Sequence, residues 1–218
     1  ATEWIRLPFF IVKFWDIINS IIFTSAKTII VPSKAMRSTL LNQKHLPSEK
    51  VVVIPNWARP EIDKNNIPSL SKTELGIPEE NVLLLYAGNI GIMQQLDPIL
   101  DAAAKLKNQP MTFLFIGEGA YKDKLILRAS QTNLTNVMFL SYQPEERFAQ
   151  IVALSDSCFV TLQPGLDAYS APSRAYTFLS AATSIITIMP KDCELSQLVT
   201  NNKCGWNVSN SKQLTNLL

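Results

Sequence analysis

The chain has 218 residues, 47% of them hydrophobic and 17% charged, so a sizeable core is available and wholesale disorder is excluded. That length allows one ordinary domain and part of another. A net charge of only +2 argues against a nucleic-acid partner.

The charge is unevenly spread. Residues 1–60 carry eight Lys/Arg against three Asp/Glu, while the remaining 158 carry twelve against fifteen. A basic first quarter fits either a solvated surface or anionic lipid headgroups. Cys158, Cys193 and Cys204 form no CxxC pair, and His45 is the single histidine. A His/Cys metal set is therefore not expected, and the composition suits a reducing compartment, the cytoplasm. His45 falls at a polar helix end, where a surface role is expected.

The first element is Pro8–Phe23, PFFIVKFWDIINSIIF. Lys13, Asp16 and Ser20 recur at helical spacings of three and four, drawing a narrow polar stripe on a very apolar helix. No signal peptide is expected at the start, and no apolar run is long enough to span a bilayer. An ordinary core helix and a surface resting on a membrane or a further domain both fit. Next come a β-branched strand at 28–31, a helix at 34–42 with Ser33 as its N-cap, and a buried strand at 51–54. Residues 58–80 are polar and carry Pro60, Pro68 and Pro78, the composition of a linker.

A regular alternation follows. Strands are expected at 82–87, 111–116, 137–140, 158–162 and 185–189. Helices are expected at 96–107, 120–131, 144–154, 174–182, 193–200 and 211–218. Apolar strands separated by amphipathic helices mean an α/β domain whose parallel sheet is covered on both faces. Right-handed crossovers make it a doubly wound, Rossmann-like sheet, with ligands at the carboxyl ends of the strands. Five of the seven glycines, Gly88, Gly91, Gly117, Gly119 and Gly165, lie where loops follow strands.

Three of those loops carry chemistry. Gly88-Asn89-Ile90-Gly91 lets backbone N–H groups approach a phosphate or sugar, or simply eases a strand-to-helix turn. Gly117-Glu118-Gly119 recurs 29 residues later in the next βα unit. Asp167–Arg174 places two N-cap residue types, Ser170 and Ser173, and an arginine at the start of a helix. Such a helix start can hold a diphosphate, and an arginine there opposes the helix dipole by about 0.3–1 kcal/mol unless an anion is resident.

These loops, with VVVIPNW at 51–57, LYAGNIG at 85–91, FIGEGAYKDKL at 115–125, NVMFLSYQPEE at 136–146 and NNKCGWNV at 201–208, resemble one known family. The resemblance is to the C-terminal domain of a GT-B-fold retaining glycosyltransferase of family 4 (group 1), in its bacterial polysaccharide and O-antigen branch. It implies that residues 1–58 are the tail of an acceptor-side domain, 59–80 a linker, and 81–218 a donor domain truncated at its end. The rest of an N-terminal domain would then be missing, and the fragment inactive alone.

The resemblance implies a nucleotide diphosphate-sugar donor, UDP-linked, a lipid-linked or polysaccharide acceptor, no cofactor, and a place in the cytoplasm or on the inner face of the membrane. By position, Gly88, Asn89, Gly91 and Gln94 face the donor phosphates, and Gly117, Glu118 and Gly119 line the nucleotide pocket. Backbone around Ser141, Tyr142 and Gln143 reads the base. Ser170, Ser173 and Arg174 hold the diphosphate, and Glu194 lies in the helix closing the back of the site. The family's basic pair, five residues apart, falls here on Asn89 and Gln94. Its two glutamates, eight apart, fall on Tyr169 and Thr177. Ribose recognition would rest on Thr177, and phosphate neutralisation on Arg174 as the catalytic cation. Two rival functions share the architecture. A sugar-nucleotide epimerase needs His and carboxylate acid–base groups that this chain hardly supplies. A non-catalytic nucleotide-sugar-binding subunit needs none. A dinucleotide oxidoreductase is disfavoured, because no GxGxxG opens the first βα unit.

Overall fold

A computed structural model describes residues 8–58 and 68–218. The chain divides into two units, Ala1–Pro55 and Asn56–Leu218. Within the expected linker, residues 59–67, including Pro60, lie outside the described residues.

In the first unit, α1 spans Phe9–Ser25, β1 Ile29–Val31, α2 Lys34–Lys44 and β2 Val51–Val53. β1 and β2 pair in parallel, Ile29 opposite Val51 and Val31 opposite Val53. Ser33 caps α2, its hydroxyl accepting from the Met36 N–H at 3.1 Å. At the other end His45 takes the left-handed conformation, φ 50°, on the surface. Arg37 straps the helix to the strand by donating from Nε to the Val51 carbonyl at 2.9 Å and from Nη2 to that of Ser48 at 2.7 Å.

The second unit is a six-stranded parallel sheet. Its strands are β3 Val82–Ala87, β4 Met111–Ile116, β5 Val137–Leu140, β6 Ser157–Thr161, β7 Ser184–Ile188 and β8 Gly205–Val208. Between and after them run α3 Asp97–Lys105, α4 Lys122–Gln131, α5 Glu145–Leu154, α6 Arg174–Ser180, α7 Glu194–Asn201 and α8 Ser211–Leu217. The spatial order is β5-β4-β3-β6-β7-β8. Strands are added outward in one direction from β3 to β5 and in the other from β6 to β8, which makes the carboxyl ends of the parallel neighbours β3 and β6 the switch point where doubly wound sheets bind ligands.

Side chains alternate across the pleat and fill two cores. On one face Leu83, Leu85, Leu114 and Cys158 pack with Ile151 of α5, Phe178 of α6 and Val199 of α7. On the other, Leu84, Tyr86, Phe113 and Phe159 pack with Leu100 of α3, Leu125 of α4 and Leu214 of α8. Leu75 and Ile77, in the stretch expected to be linker, are buried in the first of these cores.

β6 and β7 start one residue earlier than expected. Each opens on a serine whose hydroxyl is satisfied by a neighbouring carbonyl: Ser157 Oγ donates to Ser184 at 3.1 Å, and Ser184 Oγ to Asp156 at 2.9 Å. β8 was not expected as a strand. Its Trp206 is half exposed on the edge, and its polar Asn207 is held inward by donating to Thr187 Oγ1, the Met189 carbonyl and Ser196 Oγ.

Candidate functional site

Four loops leave the carboxyl ends of β3, β4, β5 and β6, and with the start of α6 they carry the residues expected to bind the donor; Glu194 follows β7 instead. Gly88, Asn89, Gly91 and Gln94 follow β3, and Gly117, Glu118 and Gly119 follow β4. Tyr142 follows β5, and Ser170, Ser173, Arg174 and Thr177 lie after β6, on α6 or just before it.

The first two loops are built against each other. The Gly88 N–H donates to the Ile116 carbonyl at 3.0 Å, the Ile90 N–H to Glu118 at 2.8 Å, and the Tyr121 N–H back to Ile90 at 3.0 Å. A Cβ on Gly117 would stand 1.8 Å from the Gly88 carbonyl oxygen, and one on Gly119 2.4 Å from that of Ile90. Both glycines therefore serve loop-on-loop packing, whatever they offer a ligand. Tyr86 adds a strut from below, its hydroxyl donating to the Asn89 carbonyl at 2.7 Å.

Gly91 sits between the two side chains that stand where a basic pair was expected. A Cβ there would lie 2.6 Å from Gln94 Oε1 and 2.7 Å from Asn89 Nδ2. Residues Ile92–Gln94 form one turn of 3₁₀ helix, closed by Gln95 in the left-handed conformation at φ 48°. Thr161, at the end of β6, donates its hydroxyl to the Gln94 carbonyl, tying the turn across the switch point. Gln94 Oε1 is buried and has no hydrogen-bond partner among the described residues.

Glu118 is exposed and ion-paired with Lys122, Nζ to Oε1 at 2.7 Å. Hydrogen bonds from Lys122 and then Ser141 hold its carboxyl below the usual range, so it stays ionised. Lys122 neutralises that charge at the edge of the site and was not picked out from the sequence, although its i,i+4 spacing from Glu118 is a visible signal.

The start of α6 differs from expectation. Ser173 has helical backbone angles, φ −67° and ψ −25°, and its hydroxyl makes no cap bond. Two first-turn N–H groups are already engaged, Ala175 to the Pro172 carbonyl at 3.4 Å and Tyr176 to Ser173 at 3.1 Å. The helix therefore offers a phosphate fewer backbone donors than the four orphan N–H groups of an unengaged helix start, and the side chains of exposed Ser170, Ser173 and Arg174 carry more of the work. Arg174 lies over the ring of Phe148 on α5, 4.8 Å from its centroid. Burial drives the Tyr86 phenol upward, Tyr142 pushes it the same way, and the charge of Arg174 pulls against both. Arg174 and Tyr142 thus act electrostatically on the residue that braces the first loop.

Thr177 is half buried one turn beyond Arg174, its carbonyl accepting from Ser180 Oγ at 2.8 Å. Tyr142 is half exposed. Glu194 opens α7, and its charge raises Tyr176 of α6 after burial has done so. At the opposite, amino end of the sheet an open groove of about 820 Å³ is lined by Ser184, Thr200, Lys203 and Trp206 among others. It is remote from the glycine loops.

Residues 69–214 match the family model described as glycosyl transferases group 1. The chain is 30% identical over 192 residues to WbjE of Pseudomonas aeruginosa, named a glycosyltransferase, covering 86% of this chain and 47% of the relative. It is 26% identical over 160 residues to WcaI of Escherichia coli, named a colanic acid biosynthesis glycosyl transferase, covering 72% and 39%. Among solved structures, Anabaena HepE in complex with UDP and glucose superposes with a TM-score of 0.71 at 18% identity, over 88% of this chain and 52% of that one. Structural neighbours of this kind are GT-B glycosyltransferases, which agrees with the α/β fold expected from the sequence. The chain spans about half the length of the curated relatives it matches.

Proposed function

Because the chain belongs to the glycosyl transferases group 1 family, we propose that it is the donor-binding half of an enzyme that moves a sugar from a nucleotide diphosphate-sugar to a lipid-linked or polysaccharide acceptor. One observation carries this reading. The Gly88–Gly91 loop, at the carboxyl end of the switch-point strand β3, is seated on the Gly117–Gly119 loop of neighbouring β4, where a doubly wound sheet presents backbone to a phosphate. The donor is UDP-linked in this proposal, in keeping with the UDP held by the HepE structure.

Transfer proceeds with retention and, in the resemblance to family 4, depends on stabilising the departing diphosphate more than on a protein nucleophile. Arg174, with the hydroxyls of Ser170 and Ser173, supplies that stabilisation. Asn89 and Gln94 meet the phosphates or sugar with neutral amides. Tyr142 and Glu118 border the base and ribose, with Thr177 behind them. A lipid-linked acceptor would place the reaction at the cytoplasmic face of a membrane.

Calorimetry of the intact protein with UDP-, GDP- and ADP-sugars tests the donor, and the anomeric configuration of the product by NMR tests retention. Tight UDP-sugar binding without any transfer would favour a non-catalytic binding subunit. Conversion of the free nucleotide sugar to its epimer would favour the epimerase.

A further inference from the structure

We infer that Tyr86 and Thr161 are positioning residues of the donor site, each holding one of the two amide residues of the first loop, Asn89 and Gln94, by its backbone through a hydroxyl. This rests on the donor-site reading above and adds to it how that loop is aimed. Asn89 and Gln94 stand where the family resemblance expects a basic pair. The Tyr86 hydroxyl donates to the Asn89 carbonyl at 2.7 Å, and the Thr161 hydroxyl donates to that of Gln94.

The two hydroxyls rise from the two switch-point strands. Tyr86 is the last residue but one of β3 and Thr161 the last of β6, and those strands pair directly. Both residues are buried, where a hydroxyl holds its partner more firmly than it would in water. Burial also drives the Tyr86 phenol upward, which keeps it a donor at neutral pH.

Each bond fixes a peptide plane. The plane joining Asn89 to Ile90 is held on both edges, since the Ile90 N–H donates to the Glu118 carbonyl at 2.8 Å. The plane joining Gln94 to Gln95 leads into a non-glycine residue in the left-handed region, φ 48°, a conformation that persists only where its surroundings impose it. Thr161 supplies that constraint. Gln94 Oε1 has no hydrogen-bond partner among the described residues, so this amide oxygen is aimed by the backbone that carries it.

Calorimetry of the intact protein with UDP-glucose, UDP-N-acetylglucosamine and UMP tests the inference. Tyr86→Phe and Thr161→Val remove a hydroxyl and keep the size of the residue. Each is expected to weaken the better-bound sugar nucleotide about fivefold, the effect of losing one buried hydrogen bond, and to leave UMP binding unchanged. A merely structural role would weaken both ligands together. Thr161→Ser keeps the hydroxyl and should recover most of the loss seen in Thr161→Val. Hydrogen exchange at the Ile90 amide, on the plane that Tyr86 pins, needs no substitution. It should be protected before ligand is added, and free exchange until a sugar nucleotide binds would overturn the proposal. Unchanged sugar-nucleotide binding in either variant, or an equal loss of UMP, overturns the proposal alone and leaves the donor reading standing. Wild-type protein that binds neither sugar nucleotide overturns the donor reading, and the proposal falls with it.

Discussion

The guanidinium of Arg174 lies over the aromatic ring of Phe148, 4.8 Å from its centroid. That cation–π contact anchors the guanidinium against α5 at the start of α6. Arg174 is exposed at the start of α6. A guanidinium hydrogen-bonded to an ionised phosphate is worth about 1.5–3 kcal/mol. Arg174→Ala is expected to lower kcat/KM at least about tenfold on that basis, with a smaller effect on binding of the nucleoside. Arg174→Lys should restore part of the loss, and Phe148→Leu should cost about two- to fivefold by releasing the stacked group. Unchanged kinetics in Arg174→Ala would leave the arginine a surface residue.

Gly117 and Gly88 both hold a positive φ, 148° and 156°, where any L side chain is strained, so the contrast between them is steric. A Cβ on Gly117 would meet the Gly88 carbonyl oxygen at 1.8 Å, and backbone cannot step aside as a flexible side chain can. A Cβ on Gly88 meets only the Tyr86 phenol, at 3.6 Å. Gly117→Ala is therefore expected to cost about 3 kcal/mol, at the upper end of overpacking, and Gly88→Ala distinctly less. Urea unfolding of the two variants measures the difference. Equal midpoints would mean the loops part without cost.

Cys193 is buried at the N-cap of α7, a position where a helix dipole ordinarily lowers a thiol pKa. Burial dominates instead, with Asp167 and Asp192 adding to it, and the thiol is pushed up to about 11. A raised folded pKa makes the unfolded chain lose its proton first. The contribution to stability is thus complete below the ordinary value of 9.0 and is lost as pH rises through about 11. Unfolding followed across that window should show a decline that Cys193→Ala flattens. At neutral pH iodoacetamide should label half-buried Cys204 and spare Cys193.

The alternation of apolar strands and amphipathic helices made the second unit's sheet legible, because a strand covered on both faces must be apolar throughout, as Leu83–Ala87 is. β8 escaped because it is an edge strand, where Trp206 faces outward and Asn207 is satisfied by partners distant in sequence. The turn at Ile92–Gln94 escaped for a related reason. Its left-handed closing residue is Gln95, and sequence reading looks for glycine or asparagine at such a position. The site loops were visible as glycines, but their purpose was not. Which glycines carry a packing constraint depends on backbone atoms from the neighbouring βα unit. The stacking partner of Arg174 was equally hidden, since Phe148 lies on a different helix.

Gln94 is the residue on which stability and function should pull apart. Its Oε1 is a buried acceptor with no partner among the described residues, while its own backbone carbonyl is held by Thr161. An unmet buried acceptor costs about 1–3 kcal/mol, and such a cost is characteristic of a site shaped for a ligand donor. Gln94→Met keeps the length and removes the acceptor. It should raise the unfolding midpoint of the free protein, by about 1 kcal/mol in stability, while weakening donor binding several-fold. Gln94→Lys asks a different question, because it places a cation where the family resemblance expects one. If phosphate neutralisation has passed to Arg174, Gln94→Lys should recover part of the kcat/KM lost in Arg174→Ala and give little in the wild-type background. A double variant no better than Arg174→Ala alone would show that the first loop does not reach the phosphate that Arg174 serves.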